Sequence, residues 1–207
     1  IKPLTVLAAL HAGLDPRAQI DCSGKVRLGP QVVTDHRDHG TLSVSEIVER
    51  SSNVGIVRIA REVPWTELYA GVAQLVPVPP NDELDEAAAV ATMVGFTSRL
   101  TLRELAGGYA ALARDAEFGA EVMTMLEHAV GPTGTGDRAV VPGTFVAGKT
   151  GTAAHAQRHD ALFVGFAGPE TSRKIIAVSV ADLPNTETGG SVAAPAFARI
   201  VDHATRG

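Results

Sequence analysis

The sequence predicts an α+β chain, an antiparallel β-sheet flanked by helices, and three observations predict it. The last third carries three β-rich runs, TFVAGKTGTA, DALFVGFAG and KIIAVSVAD, separated by turn residues in the manner of an antiparallel meander. The earlier part instead repeats apolar residues at helical spacing, most clearly in TLRELAGGYAALAR. A closing segment, SVAAPAFARIVDHATRG, is helical again and is expected to pack back on the sheet.

Taken in order, Pro3 suits the first turn of a helix, where its missing N–H is no loss, and Leu4, Leu7, Ala8 and His11 follow until Gly13 closes it. Residues 15 to 40 are rich in Gly, Pro, Asp and His and read as short strands and turns. TLSVSEIVERSSNVGIVRIAREV gives two helical stretches, with Ser43 or Ser45 as the first cap and SSN as the interruption. VPVPPNDELDE is an acidic, proline-rich loop, and DEAAAVATMVGF resumes an apolar pattern. Thr101 caps the helix TLRELAGGYAALAR, and AEVMTMLEHAV is a further helix ended by GPTGTGD.

Composition narrows the function classes. A hydrophobic content of 45% over 207 residues fills a proper core. The net charge of -5, from 18 basic and 23 acidic residues, offers no field for a nucleic-acid backbone and no polybasic membrane patch. The single cysteine, Cys22, excludes an internal disulfide. No run of 18 or more apolar residues occurs, and IKPLTVLAAL has too short an apolar stretch for a signal peptide. The chain begins inside a helix pattern, so a longer parent protein is expected, with anchors or targeting segments upstream.

The stretch VAGKTGTAAH places Lys149 between two glycines, Gly148 and Gly151, inside an apparent strand. Glycine there marks a bulge or a place where another backbone or a ligand comes close. Singly, KTG reads as a strand-end turn, SSN as a helix cap and Lys2 as a solvated side chain. Their order is more specific: IKP fits the end of an SxxK motif, Ser51 to Asn53 fits SxN about 50 residues on, and KTG follows after about 100 more. DHRDHG pairs His36 and His39 with Asp35 and Asp38, but with no third converging element it reads as a polar loop, not a metal site. His155 and His159 read as a solvated hairpin tip or the edge of a substrate cleft.

With these motifs, the chain resembles from end to end the transpeptidase domain of class B penicillin-binding proteins, members of the penicillin-recognising serine enzymes. KPLTVLAALHAGL, LTLRELAGGYAALA, AGKTGTA and SVAAPAFARI are similar to the corresponding family stretches. The resemblance implies the transpeptidase and serine β-lactamase-like fold. It implies that residues 1–207 are the C-terminal part of that domain, with any membrane anchor or pedestal domain before residue 1.

The same resemblance assigns roles. Lys2 is the general base, because i and i+3 side chains are neighbours on a helix and the nucleophilic serine lies three residues before it, outside this sequence. Ser51 is a hydroxyl relay and Asn53 holds the acyl donor's amide. Lys149 supplies positive charge, Thr150 and Thr152 supply hydroxyls, Gly148 and Gly151 admit the substrate backbone, and the Thr152 N–H joins the oxyanion hole. Ser51 and Asn53 are expected in a short loop where their side chains project freely.

The implied activity is peptidoglycan D,D-transpeptidation through an acyl-serine intermediate, on D-Ala-D-Ala stem peptides, with acylation by β-lactams. A D,D-carboxypeptidase or serine β-lactamase is the enzymatic alternative, and a non-catalytic β-lactam sensor or division-complex scaffold is the other. No obvious deacylating glutamate motif is present. No cofactor or metal is implied, and the partners are stem peptides, β-lactams, a membrane glycan polymerase and division proteins, at the extracytoplasmic face of the membrane. Two stretches, VAQLVPVPPNDELDE and ALARDAEFGAEVM, are shorter than the family's usual course.

Overall fold

Pro3 stands in the first turn of α1 (Lys2–His11), and every residue from Pro3 to Leu10 is buried. The helix is therefore wrapped on all sides, which explains why its apolar pattern is continuous and not confined to one face. In the computed structural model, which describes residues 1–155 and 158–206, the chain divides into two compact units, Ile1–Val122 and Met123–Gly207.

In the first unit α1 packs against α2 (Val44–Arg50), α3 (Asn53–Glu62), α4 (Trp65–Leu75), α5 (Glu86–Val94) and α6 (Leu102–Arg114). Small residues set how closely these helices approach: a Cβ on Gly71 would meet the Ala8 Cβ at 2.9 Å, and one on Gly108 would meet Leu4 at 2.6 Å. Two small antiparallel pairs complete the unit, β1 (Gln19–Asp21) with β4 (Thr41–Ser43), and the hairpin β2 (Lys25–Leu28) with β3 (Gln31–Thr34). Ser43 caps α2 and Thr101 caps α6, each through a full capping box, with Glu46 and Glu104 as the reciprocal partners. The expected cap at Thr101 is present, and of the two candidates for α2 the structure selects Ser43.

Helix α4 is an element to which the sequence reading gave no structure. It follows Pro64 as its N-cap residue, carries Glu67 in its first turn and buries only Leu68, Tyr69 and Val72, too narrow a stripe to stand out beside the proline-rich loop that follows. Tyr69 closes that loop by donating its hydroxyl to the Pro79 carbonyl at 2.8 Å.

Helix α7 (Gly119–Ala129) leads into the second unit, whose sheet comprises β5 (Val146–His155), β6 (Arg158–Ala167) and β7 (Lys174–Pro184) in the order β5-β6-β7. This is the antiparallel meander expected, with β5 at an edge. A register shift between His159 and Ala161 marks a bulge. A π turn at Gly189–Ala193 precedes α8 (Ala194–Arg206), and Phe197 of α8 packs on Phe163 of β6 with ring centroids 4.6 Å apart. Around them lie Val130, Ala139, Val141, Ala161, Ala193 and Val201. The closing helix thus packs on the sheet as expected. Among the described residues no helix is long and apolar enough to cross a membrane, and no cluster of His, Cys, Asp and Glu could hold a metal ion.

Candidate active site

Lys2, Ser51 and Asn53 are brought together although 49 and 51 positions separate the lysine from the other two. The Lys2 ammonium donates to the Ser51 carbonyl at 2.7 Å, to Asn53 Oδ1 at 2.5 Å and to Ser51 Oγ at 3.3 Å. An ammonium has three N–H donors, and these three acceptors match them. Burial lowers the Lys2 pKa from 10.5 to about 8, with the nearby Asp35 carboxylate acting in the opposite direction. At pH 7 roughly a tenth of such an amine is neutral, with a lone pair able to take a proton from a hydroxyl.

The backbone at the SSN interruption explains how Ser51 offers two acceptors to one lysine. Ser51 ends α2 in the left-handed region, φ 59°, and its N–H bonds back to Val48 O while Ser52 N–H reaches Ile47 O. A non-glycine residue in that region costs about 1–3 kcal/mol and persists where surroundings fix it. Ser52 then caps α3 by accepting from Gly55 N–H at 2.8 Å, and Asn53 is the first helical residue. The expectation that Ser51 and Asn53 project freely from a loop is therefore corrected: one is a helix end, the other a helix start, and Lys2 holds both.

Asp35 has a place at the site that its sequence context does not show. Its carboxylate accepts the Ser52 hydroxyl at 2.5 Å, Asn53 N–H at 2.6 Å and Val54 N–H at 3.3 Å. An anion at a helix N-terminus satisfies amides that have no partner in the helix and complements its dipole. By sequence DHRDHG is a polar loop. His36 is indeed exposed, and Asp38 accepts from Gly24 N–H and Gly40 N–H, yet Asp35 reaches across to the SSN turn.

In the second unit Lys149 is buried, 6% exposed, and donates to Thr135 Oγ1, Thr150 Oγ1 and the Thr150 carbonyl, each at 3.2 Å. The Thr135 and Thr150 hydroxyls lie 2.7 Å apart. One of them donates to the other, which leaves the second proton of the pair for an acceptor outside it. Thr152 Oγ1 accepts from Gly189 N–H at 3.1 Å, so its hydroxyl proton is likewise left to donate. A buried cation with two outward hydroxyl donors is chemistry for a carboxylate. Thr135, in the GPTGTGD loop, was not singled out from sequence; a threonine between glycines is the signal available there.

The two glycines that bracket Lys149 and Thr150 also lie close to the neighbouring strand. A Cβ on Gly148 would stand 2.6 Å from the Phe163 ring and 2.9 Å from the Gly165 Cα, so this glycine makes room for an aromatic ring and a close backbone of the neighbouring strand. A Cβ on Gly151 would meet Leu162 at 3.3 Å, a tight contact with the neighbouring strand. His159 Nδ1 lies 3.3 Å from the Glu187 carbonyl, an anchored position at the bulge and not a freely solvated one. The reading of His155 lies outside the described side chains.

Residues 1–76 and 95–202 match the family model described as the penicillin binding protein transpeptidase domain. The internal unmatched interval, 77–94, overlaps the end of one of the two stretches that read as short and runs on through α5. The chain is 28% identical over 247 residues to the probable peptidoglycan D,D-transpeptidase PenA of Neisseria gonorrhoeae, covering 97% of this chain and 42% of that protein. It thus spans less than half the length of that relative. Among solved structures, a peptidoglycan glycosyltransferase from Burkholderia ambifaria superposes with a TM-score of 0.85 at 29% identity, covering 99% of this chain and 77% of that one. The apo transpeptidase domain of Burkholderia pseudomallei penicillin-binding protein 3 also gives 0.85, at 28% identity, covering 99% of this chain and 77% of that one. The helices and antiparallel sheet are those of the penicillin-binding transpeptidase fold, and the chain belongs to the penicillin binding protein transpeptidase domain family.

Proposed function

We propose that this chain is the C-terminal part of a peptidoglycan D,D-transpeptidase domain, acting at the extracytoplasmic face of the membrane on D-Ala-D-Ala stem peptides and acylated by β-lactams. The observation that carries this is the Lys2 amine, lowered to about 8 and held at 3.3 Å from Ser51 Oγ and 2.5 Å from Asn53 Oδ1. An amine with that pKa serves as a base near neutral pH.

In the first half-reaction a serine three residues before Lys2, outside the 207 residues, attacks the carbonyl between the two D-alanines, and Lys2 takes its proton. The tetrahedral oxyanion is held by the N–H of Thr152 together with that of the serine; donors of this kind are worth about 3–4 kcal/mol of barrier. The C–N bond breaks, the Ser51 hydroxyl passes a proton to the departing amine, and D-alanine leaves. In the second half-reaction an acceptor amine attacks the ester, loses its proton along the same relay and restores the serine. Asn53 orients the donor amide, while Lys149, Thr150 and Thr152, beside Gly151, receive the terminal carboxylate. A membrane glycan polymerase and division proteins are the partners such an enzyme works with.

The test is incubation of the full-length protein with a D-Ala-D-Ala stem peptide and an acceptor amine. Free D-alanine with a cross-linked product is the result that supports transpeptidation. D-alanine without cross-link moves the reading to carboxypeptidase, and neither product moves it to a non-catalytic scaffold.

A further inference from the structure

Gly189 and Gly190 open the π turn and stand against the Lys149 cluster. A Cβ on Gly189 would lie 2.4 Å from the Gly151 carbonyl oxygen, 2.5 Å from that of Leu162 and 2.9 Å from the Gly151 nitrogen. A Cβ on Gly190 would lie 2.6 Å from the Thr135 carbonyl oxygen. These are backbone atoms of β5, β6 and the loop before β5, which cannot swing aside as a side-chain tip does. Neither glycine has a left-handed φ, so what excludes a side chain is proximity, not conformation. The turn is fastened by its own polar bonds: Thr188 N–H to Ser191 Oγ at 2.8 Å, Ser191 N–H to Thr188 Oγ1 at 3.2 Å, and Ser191 Oγ to Glu187 Oε2 at 2.6 Å. Its first amide is the donor to Thr152 Oγ1.

We propose that the Gly189–Gly190 turn is a positioning element for carboxylate recognition, pinning the Thr135 loop against β5 and committing the Thr152 hydroxyl to donate outward. A hydroxyl that already accepts a backbone N–H turns its proton toward a second partner, which an anion supplies. The turn acts through Thr152 and Thr135 without touching the substrate. The inference rests on the reading that Lys149, Thr150 and Thr152 take a carboxylate.

The experiment measures acylation rate constants of the full-length protein with benzylpenicillin and with its carboxylate methyl ester, for wild type, Gly189→Ala, Gly190→Ala and Ser191→Ala. Gly107→Ala serves as the control, since nothing lies within 4 Å of a Cβ there. Wild type and the control prefer the acid. Gly189→Ala and Gly190→Ala lose about tenfold of that preference, and Ser191→Ala, which loosens the turn without adding an atom, loses about threefold, while ester rates stay within about threefold. A merely structural role lowers both rates together. If the glycine variants fail to give a cooperative melt, Ser191→Ala decides. A wild-type acid preference retained in every folded variant overturns the inference. A wild type that does not distinguish acid from ester overturns the carboxylate reading itself, and the inference with it.

Discussion

The carboxylate of Asp35 accepts the hydroxyl of Ser52 at 2.5 Å, joining residues 17 positions apart at the start of α3. The same carboxylate takes two amides of that helix, so the SSN turn is held both by one anion and by Lys2.

Asp35→Ala leaves a hydroxyl and two amides without this acceptor. A loss of about 2–3 kcal/mol in folding stability is expected, with Asp35→Asn recovering part of it. Because Asp35 raises the Lys2 pKa, its removal also moves the alkaline rise of acylation to lower pH. Denaturant melts and a pH profile of penicillin acylation check both; an unmoved profile would show that Asp35 only supports the turn.

The Lys2 amine makes stability itself depend on pH. Its pKa is about 8 in the folded chain and near 10.5 when exposed, so between those values the unfolded chain binds more protons. Stability therefore rises as pH climbs through that window. Lys2→Met lacks the rise. Chemical denaturation of both proteins at about pH 7.5 and about pH 10 should show the wild type gaining on the variant; parallel behaviour would mean that the lysine is not desolvated.

Gly148→Ala is expected to destabilise the sheet, because its Cβ meets the Phe163 ring at 2.6 Å. Overpacking of this kind costs about 1–3 kcal/mol, a fall in Tm of about 2–4 °C for each kcal/mol in a chain of this size. A normal melt with impaired acylation would instead favour the reading of this glycine as a place for substrate.

His11 Nε2 lies 2.7 Å from Asp115 Oδ2, tying the end of α1 to the turn between α6 and α7. Partial burial pushes the Asp115 carboxyl up, but the Phe118 N–H and the His11 ring outweigh it and hold the pKa below its ordinary 3.8. A depressed carboxyl contributes stability above its unfolded pKa and loses it as pH falls through the folded one. The difference between wild type and Asp115→Asn, about 1 kcal/mol near pH 6, should shrink as pH falls below 3.8 in acid titration followed by circular dichroism.

Local signals were the most legible part of this sequence. The Thr101 cap, the three late strands and the closing helix all follow from spacing within ten or so residues, where propensity and capping act. Lys2, Ser51 and Asn53 were visible through motif order. Asp35 was not, because a carboxylate in a polar loop looks the same whether it faces water or a helix start 17 residues on. Gly148 is half legible for a related reason: the need for glycine is clear, but the ring beside it comes from Phe163 on the next strand.

The central claim is that Lys2 serves as the base for acyl transfer to a neighbouring serine. Intact-mass and peptide mass spectrometry of the full-length protein after incubation with a penicillin tests it most directly, with Lys2→Ala alongside. A stable penicilloyl adduct on the peptide reaching into IKPLTVLAAL, absent from a folded Lys2→Ala protein, is the outcome the account predicts. No adduct in folded wild type, or an adduct formed as fast without Lys2, would contradict it.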